Sequence, residues 1–434
     1  MTAPATRRSG APRLTRRAWL GGAAAAALAG CARGDAQTVR FWAMGREGEV
    51  VAELLTAFER EHPGVRVRVE QLPWTAAHEK LLTAFAGDAL PDVAQLGNTW
   101  LPEFVALGAL APLDERIAAA ADIDAADYFG GIWDTNRVDG RLYGLPWYVD
   151  TRVLFYRRDI AAAAGVEQPP RDWAQWLLAL RAVKRHVGAE RFAMLLPLNE
   201  YDPLVALALQ QGGAEALVRD GGRYGNFRGE AFRRAWGFYL SLFDQQLAPP
   251  ASDNEIANLY HEFARGYFTY YIGGPWQIGE FRRRLPPQLQ ASWATAPLPG
   301  PDGPGASTAG GSSLAIFARS PRKQAAWALM RYLSRPAVQQ RFYALSGNLP
   351  PRRSAWADAA LAGDAPVRAF ADQLERARPV PQVPEWERIA TELKLTADRV
   401  VRGTLERDQA LALLDARCDA MLDKRRWMLQ RRAA

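Results

Sequence analysis

The apolar positions between residues 38 and 107 change period several times, and each change marks an element. Residues 38–42 read as a strand and 44–49 as a loop. Val50, Val51, Leu54, Leu55 and Phe58 then recur at helical spacing, predicting a helix to about residue 62, where Pro63-Gly64 stops it. Val65, Val67 and Val69 alternate with Arg66 and Arg68, as in a strand with one wet face. Leu81, Leu82 and Phe85 place a second helix. Residues 91–96 form a third strand, ended by Gly97-Asn98-Thr99-Trp100, and Trp100, Phe104 and Leu107 open the next helix. This alternation predicts a parallel or mixed sheet covered by helices on both faces.

The second half continues in the same manner. Residues 173–187 read as a helix, 191–196 as a buried strand, and 230–246 as a helix burying Phe232, Trp236, Tyr239 and Phe243. The aromatic run 267–272 is a strand that enters Gly273-Gly274-Pro275-Trp276. The two glycines are expected to take backbone angles that a Cβ disfavours, and Pro275 to sit in the first turn of a helix. Residues 296–309, rich in Pro and Gly, read as a surface loop. Helices follow from about 323, 337, 384 and 408, with Ile389, Leu393, Thr396 and Val400 as a packing stripe. Of Tyr270 and Tyr271, neighbours in a strand face opposite ways, so one is expected in the core.

Open α/β folds hold ligands beyond the C-terminal ends of their strands. That rule gathers the loops 45–49 and 97–100, with Glu47 and Asn98 as hydrogen-bonding groups. For Glu47 the alternative is a first-turn carboxylate complementing the helix dipole. Trp276 stands at the same kind of edge with no catalytic partner beside it. It reads as a stacking platform or, like most of the 15 tryptophans, as a core ring. Trp74, Trp100 and Trp147 also fall in or beside predicted loops, where an exposed ring needs a reason. Asn199 and Glu200 follow a strand and are in reach of a cleft; capping of the next helix is the alternative.

The N-terminus speaks to compartment. Residues 1–30 hold five Arg and no acid, and an Ala-rich run from Ala18 to Ala29 follows Arg16-Arg17. The run is too short to span a bilayer and has the layout of an export signal. Thr15-Arg16-Arg17-Ala18-Trp19-Leu20 resembles a twin-arginine motif, and Leu28-Ala29-Gly30-Cys31 resembles a lipobox, implying a diacyl tether on Cys31. The net charge of +7 falls to +2 once those five Arg are set aside, which offers no footprint for nucleic acid. The one other thiol, Cys418, lies in a helical pattern and reads as buried and inert.

Leu142-Tyr143-Gly144-Leu145-Pro146-Trp147-Tyr148-Val149-Asp150-Thr151-Arg152 is the most specific stretch. With Gly273-Gly274-Pro275-Trp276, Gly310-Gly311-Ser312-Ser313-Leu314 and Gly347-Asn348-Leu349-Pro350-Pro351-Arg352, it resembles the extracellular sugar-binding proteins of ATP-driven importers, nearest the maltose/trehalose-binding branch. The resemblance spans nearly the whole chain after the signal. It implies an α/β, two-lobe periplasmic-binding-protein fold of type II, each lobe a mixed sheet flanked by helices, with the ligand cleft at the hinge. The implied division is an export signal over 1–30, an N-terminal lobe of 38–149 with 308–349, and a C-terminal lobe of 150–307 with 350–434. The implied contacts are Glu47 to a sugar hydroxyl, Tyr148 and Asp150 from the hinge side, and Trp276 as stacking ring. Gly311 and the loop before Arg352 would line the cleft, with Arg378 near a loop that supplies an Arg in some relatives. Two positions depart from the family pattern. Gly97-Asn98 stands where an acid is common, and Ser312 where an aromatic often follows the paired glycines.

The function implied is a binding lipoprotein, not an enzyme. It would act as a monomer in the periplasm or on the outer face of the cell membrane, passing a small carbohydrate, such as trehalose or maltose, to membrane-embedded ABC permease subunits. Neither a cofactor nor a metal is expected. Four His at 62, 78, 186 and 261 and two Cys form no zinc spacing, and no nucleophile elbow or phosphate loop is present. Two alternatives stay open. A hydrolase needs a carboxylate pair at a set separation; another cargo on the same fold would be ferric ion, whose receptors carry a tyrosine pair that Tyr270-Tyr271 resembles, or a polyamine, held by acids such as Glu47, Asp150 and Glu200 around an aromatic box.

Overall fold

The computed structural model describes residues 37–256 and 258–433; the export segment, with Cys31, lies outside them. The first main sheet contains β1 (Gln37–Met44), β2 (Val65–Leu72), β3 (Val93–Gly97) and β4 (Leu145–Asp150). The second contains β5 (Val153–Arg157), β6 (Phe192–Leu195), β7 (Phe268–Gly273) and β8 (Trp293–Ala296). The chain then returns to the first as β9 (Gly310–Ile316). The strand orders are β2-β1-β3-β9-β4 and β8-β5-β7-β6. β1 runs parallel to β2 and β3, and β9 antiparallel to β3 and β4, so the sheet is mixed. Helices cover the faces of both sheets, giving the two-lobe α/β architecture.

Local chemistry accounts for most element boundaries and for the places where expectation and structure part. The predicted loop 44–49 is already helical: Gln95 Oε1 takes the Met44 N–H at 2.8 Å, which ends the ladder, and the helix Gly45–Val50 begins at once. The predicted surface loop 296–309 is largely buried. A Pro/Gly loop can be buried only if its backbone groups find partners; Gln373 supplies two, accepting from Leu298 N at 2.7 Å and donating to Gly305 O at 2.9 Å, and Gln210 donates to Ala306 O at 2.9 Å. Both Tyr270 and Tyr271 are core residues, because the second sheet is covered on both faces; Tyr270 stacks on Tyr156 with centroids 5.6 Å apart. Cys418 is a buried free thiol, and burial pushes its pKa up to about 12.

The chain crosses between the lobes at three places that lie together. The first runs from β4 into β5, the second through Ser307–Thr308 into β9, and the third through 349–352. Gly311 pairs with Val149 on one side, while Val149 N donates to Leu349 O at 2.9 Å on the other. Gly311 has φ +116°, and a Cβ there would stand 2.3 Å from the Tyr148 carbonyl oxygen, so only glycine permits this approach. Val149 and Leu349 belong to one apolar cluster with Phe155 and Phe281 of the second lobe.

Trp147 shows how closely the first lobe is packed beside the crossing. It is 1% exposed and stacks on Phe342 at 4.6 Å, with its edge toward Phe41. Trp147→Ala should therefore destabilise the protein by about 3–5 kcal/mol, read from the midpoint and slope of urea unfolding. A loss below about 1 kcal/mol would contradict this packing role.

Candidate functional site

A cleft of about 1090 Å³ opens between the lobes. Of the residues singled out from the sequence, Glu47, Trp74, Tyr148, Asp150, Trp276 and Gly311 line it together. The first lobe contributes Glu47 from the opening turn of its helix and Trp74 from the start of the helix Trp74–Ala86. The second lobe contributes Trp276, first residue of the helix Trp276–Arg284. Trp74 and Trp276 are 37% and 45% exposed, among the few large apolar side chains so placed. The glycines before Trp276 act through space rather than backbone angle. Neither has positive φ, but a Cβ on Gly274 would lie 1.9 Å from Trp276 Cζ3, so its absence makes room for the ring.

The polar groups around these rings are held by a buried network. Glu47, 7% exposed, accepts from Asn348 Nδ2 at 2.8 Å. Tyr148 Oη accepts from Ser312 Oγ at 3.0 Å and from Gln95 Nε2 at 3.2 Å. Burial, and then the Glu47 charge, hold the Tyr148 phenol well above its usual pKa, so it keeps its proton and remains a donor in the cleft. Asp150 is gripped by Arg152 Nη1, at 2.9 and 3.0 Å to its two oxygens. Burial pushes the Asp150 carboxyl up to about 6, against the pull of Arg152 and with the Asp202 charge adding to the rise. Arg152 stays charged: burial opposes its charge, but Asp150, Asp202 and Glu200 together outweigh that and raise its pKa.

The structure places the other expected site residues elsewhere. Ser312 is fully buried and stands behind Tyr148 rather than in the cleft. Asn98 is buried with its Oδ1 accepting from Ser313 Oγ at 3.2 Å, and its neighbour Thr99 bonds Glu387 across the lobes. Trp100 packs edge-on against Trp74 at 5.7 Å and so supports the wall from behind. Trp147, next to Tyr148 in β4, is packed into the first core against Phe342 and Phe41 and does not line the cleft. Arg352, 9% exposed, braces the third crossing through Asp127 at 2.6 Å and the Ser334 carbonyl at 3.1 Å.

In the second lobe, Asn199 Oδ1 accepts from Asp253 N at 2.8 Å, tying the segment after β6 to a loop 54 residues further on. Glu200 is drawn inward beside Asp253; burial pushes its carboxyl up to about 8, with Asp253 and Asp202 adding to the shift against Arg152. Arg378 reaches the Leu209 carbonyl at 3.4 Å, outside the cleft.

Sequence reasoning missed four participants. Asn348 and Arg46 also line the cleft, and Arg152 and Gln95 hold its polar groups. Gln95 had a visible signal, a lone amide inside the apolar run Val93-Ala94-Gln95-Leu96, since a buried amide must find partners. Asn348 lay within a stretch already singled out, and Arg152 two residues from Asp150.

Comparison with known proteins gives this arrangement its context. The sugar-binding protein MalE from the phytopathogen Xanthomonas citri is 54% identical, covers 91% of this chain and 99% of its own, and superposes with a TM-score of 0.88. The GacH receptor of Streptomyces glaucescens, solved unliganded and with acarbose and an acarbose homolog, is 26% identical over 89% of this chain and 99% of its own, with a TM-score of 0.75. The diacetylchitobiose binding protein DasA of Streptomyces coelicolor is 25% identical over 382 residues, 86% of this chain and 87% of its own. Residues 44–340 match the family of bacterial extracellular solute-binding proteins. That match covers more than half of the sequence, and the chain therefore belongs to the bacterial extracellular solute-binding protein family.

Proposed function

We propose that this protein captures a neutral sugar outside the cell membrane, a disaccharide such as trehalose or maltose, and delivers it unaltered to the permease subunits of an ABC importer. The observation that carries the reading is one cleft with an exposed tryptophan on each wall and Glu47, Tyr148 and Asn348 between them. Rings cover the C–H faces of a sugar, while carboxylate, phenol and amide groups read its hydroxyl edges. The similarity to the sugar-binding MalE protein supports the same class of guest. The lobes in this reading are 38–149 with 308–349, and 150–307 with 350–434, closing on the guest so that the permease reads the closed state. Export through a twin-arginine signal, and a lipid tether at Cys31, complete the proposal on the strength of the sequence alone.

Calorimetry against trehalose, maltose, sucrose, glucose, spermidine and ferric citrate tests it. Binding of a sugar with neither the amine nor the iron is the expected result; binding of only the amine or the iron would overturn the reading. Trp276→Ala should weaken sugar binding by about 1–3 kcal/mol, in line with loss of an aromatic stacking platform, while leaving the unfolding midpoint near that of the unaltered protein.

A pH profile gives a second test. The folded Asp150 carboxyl titrates near 6, above the roughly 3.9 of an unfolded chain. Its protonated form is therefore favoured by folding: the stability that this proton contributes is full below about 4 and is lost as pH rises through about 6. The ionised acceptor needed by Arg152 and by a sugar hydroxyl is present only on the alkaline side of that step. Affinity should rise between pH 5 and pH 7.5 with an inflection near 6, and Asp150→Asn should flatten it. A featureless profile in the unaltered protein would remove Asp150 from the account.

A further inference from the structure

We infer that Arg152 is a positioning residue that fixes the orientation of the Trp276 ring and ties that ring to the hinge; the inference rests on the sugar reading above. Four contacts define Arg152. Its main-chain N–H donates to Ser307 Oγ at 3.0 Å, so its backbone joins the first crossing segment to the second. Its Nη1 donates to both oxygens of Asp150. Its Nη2 lies 3.3 Å from Asp202 Oδ2, at the start of the helix Asp202–Gly212. Its guanidinium carbon stands 4.6 Å from the centroid of the Trp276 ring. The side chain is only 14% exposed, whereas Trp276 is 45% exposed.

A half-exposed ring on the first residue of a helix has few neighbours to select its rotamer. On the described residues, the cation and the open space over Gly274 are what define it. A guanidinium suits the task because it is flat, permanently charged and able to stack while its edge donors stay bonded to carboxylates. Asp150 and Asp202 hold those donors, so the plane of the guanidinium is set by two segments of the second lobe and the hinge. Ser307 is fully buried, so Arg152 moves with the second crossing segment. Asp202, Ser307 and Trp276 lie with Arg152 on the second-lobe side, so the guanidinium holds the ring in one orientation as that lobe moves. Trp276 then presents its stacking face as a preset wall, carried by the second lobe.

The test has a ligand-free arm and a binding arm. Acrylamide quenching of Trp276 is obtained as the difference between the protein and its Trp276→Phe variant, in the unaltered, Arg152→Met and Arg152→Lys backgrounds. Release of the ring should raise the Trp276 quenching constant in Arg152→Met, with only partial recovery in Arg152→Lys, whose ammonium keeps the ion pairs but cannot lie flat. If Arg152→Met does not fold, Asp202→Asn, which loosens one anchor, should give a smaller rise. In the binding arm, Arg152→Met should lower affinity for the best sugar from the calorimetric screen by about tenfold, and this loss should be smaller when Trp276→Ala is already present, the remainder being the loss of the Asp150 partner. Unchanged quenching, or equal losses with and without Trp276, would overturn the inference. If no sugar binds the unaltered protein, the functional reading fails, while the quenching arm still decides the role of Arg152.

Discussion

The structure depends on how three chain crossings meet at Val149. Its backbone is paired with Gly311 on one side and bonded to Leu349 on the other. A side chain at 311 would collide with the Tyr148 carbonyl. This constraint sets the register of β9 against β4, which in turn brings Tyr148, Asp150 and Gly311 to the same end of the cleft. The apolar cluster beneath the crossing is continuous into the second lobe, so the joint is packed and dry on one side and polar on the other. A hinge of this kind bends about a few residues without opening the core of either lobe.

The cleft is built as a division of labour. Rings are left exposed, and the polar groups between them are positioned by partners, most of which do not line the cleft. Gln95 and Ser312 orient Tyr148, Asn348 orients Glu47, and Arg152 orients Asp150. Trp100 backs Trp74. Such support matters because a sugar is recognised by many individually weak contacts, and each is useful only if its geometry is already in place before binding. The carboxylates of Asp150 and Glu200 are partly neutralised by Arg152 and partly pushed toward their protonated forms by burial. That leaves the wall less anionic than its sequence suggests, as suits an uncharged guest.

Much of this was legible in the sequence, for identifiable reasons. Periodicity gave the β-α alternation of the first lobe, because the apolar stripes there are clean. Trp276 was legible because an aromatic strand running into Gly-Gly-Pro leaves a ring at a strand mouth. Trp147 and Tyr148 mark the boundary of such reading. Alternation says that they face opposite ways, but the pairing of β4 shifts register at Trp147, and both rings pack toward Phe342, far along the chain. Arg352 and Arg378 carried the chemistry of sugar contacts and are instead used as braces, because Asp127 and the Leu209 carbonyl lie nearer than the cleft. The burial of 296–309 depends on distant amides, Gln373 and Gln210, and no local pattern announces them. Arg152 lies in a short link with no periodicity, and its partner ring is remote in sequence, so only the fold brings the two together.

The central claim is that an uncharged, many-hydroxyl guest sits between Trp74 and Trp276 with its edges on Glu47 and Tyr148. A crystal structure of the protein soaked with the sugar it binds best in solution tests this most directly. The account predicts a sugar ring lying flat against Trp276, with hydroxyls within hydrogen-bond distance of Glu47 and Tyr148. Sugar seated away from both tryptophans, or a cleft holding only solvent at saturating sugar, would contradict it.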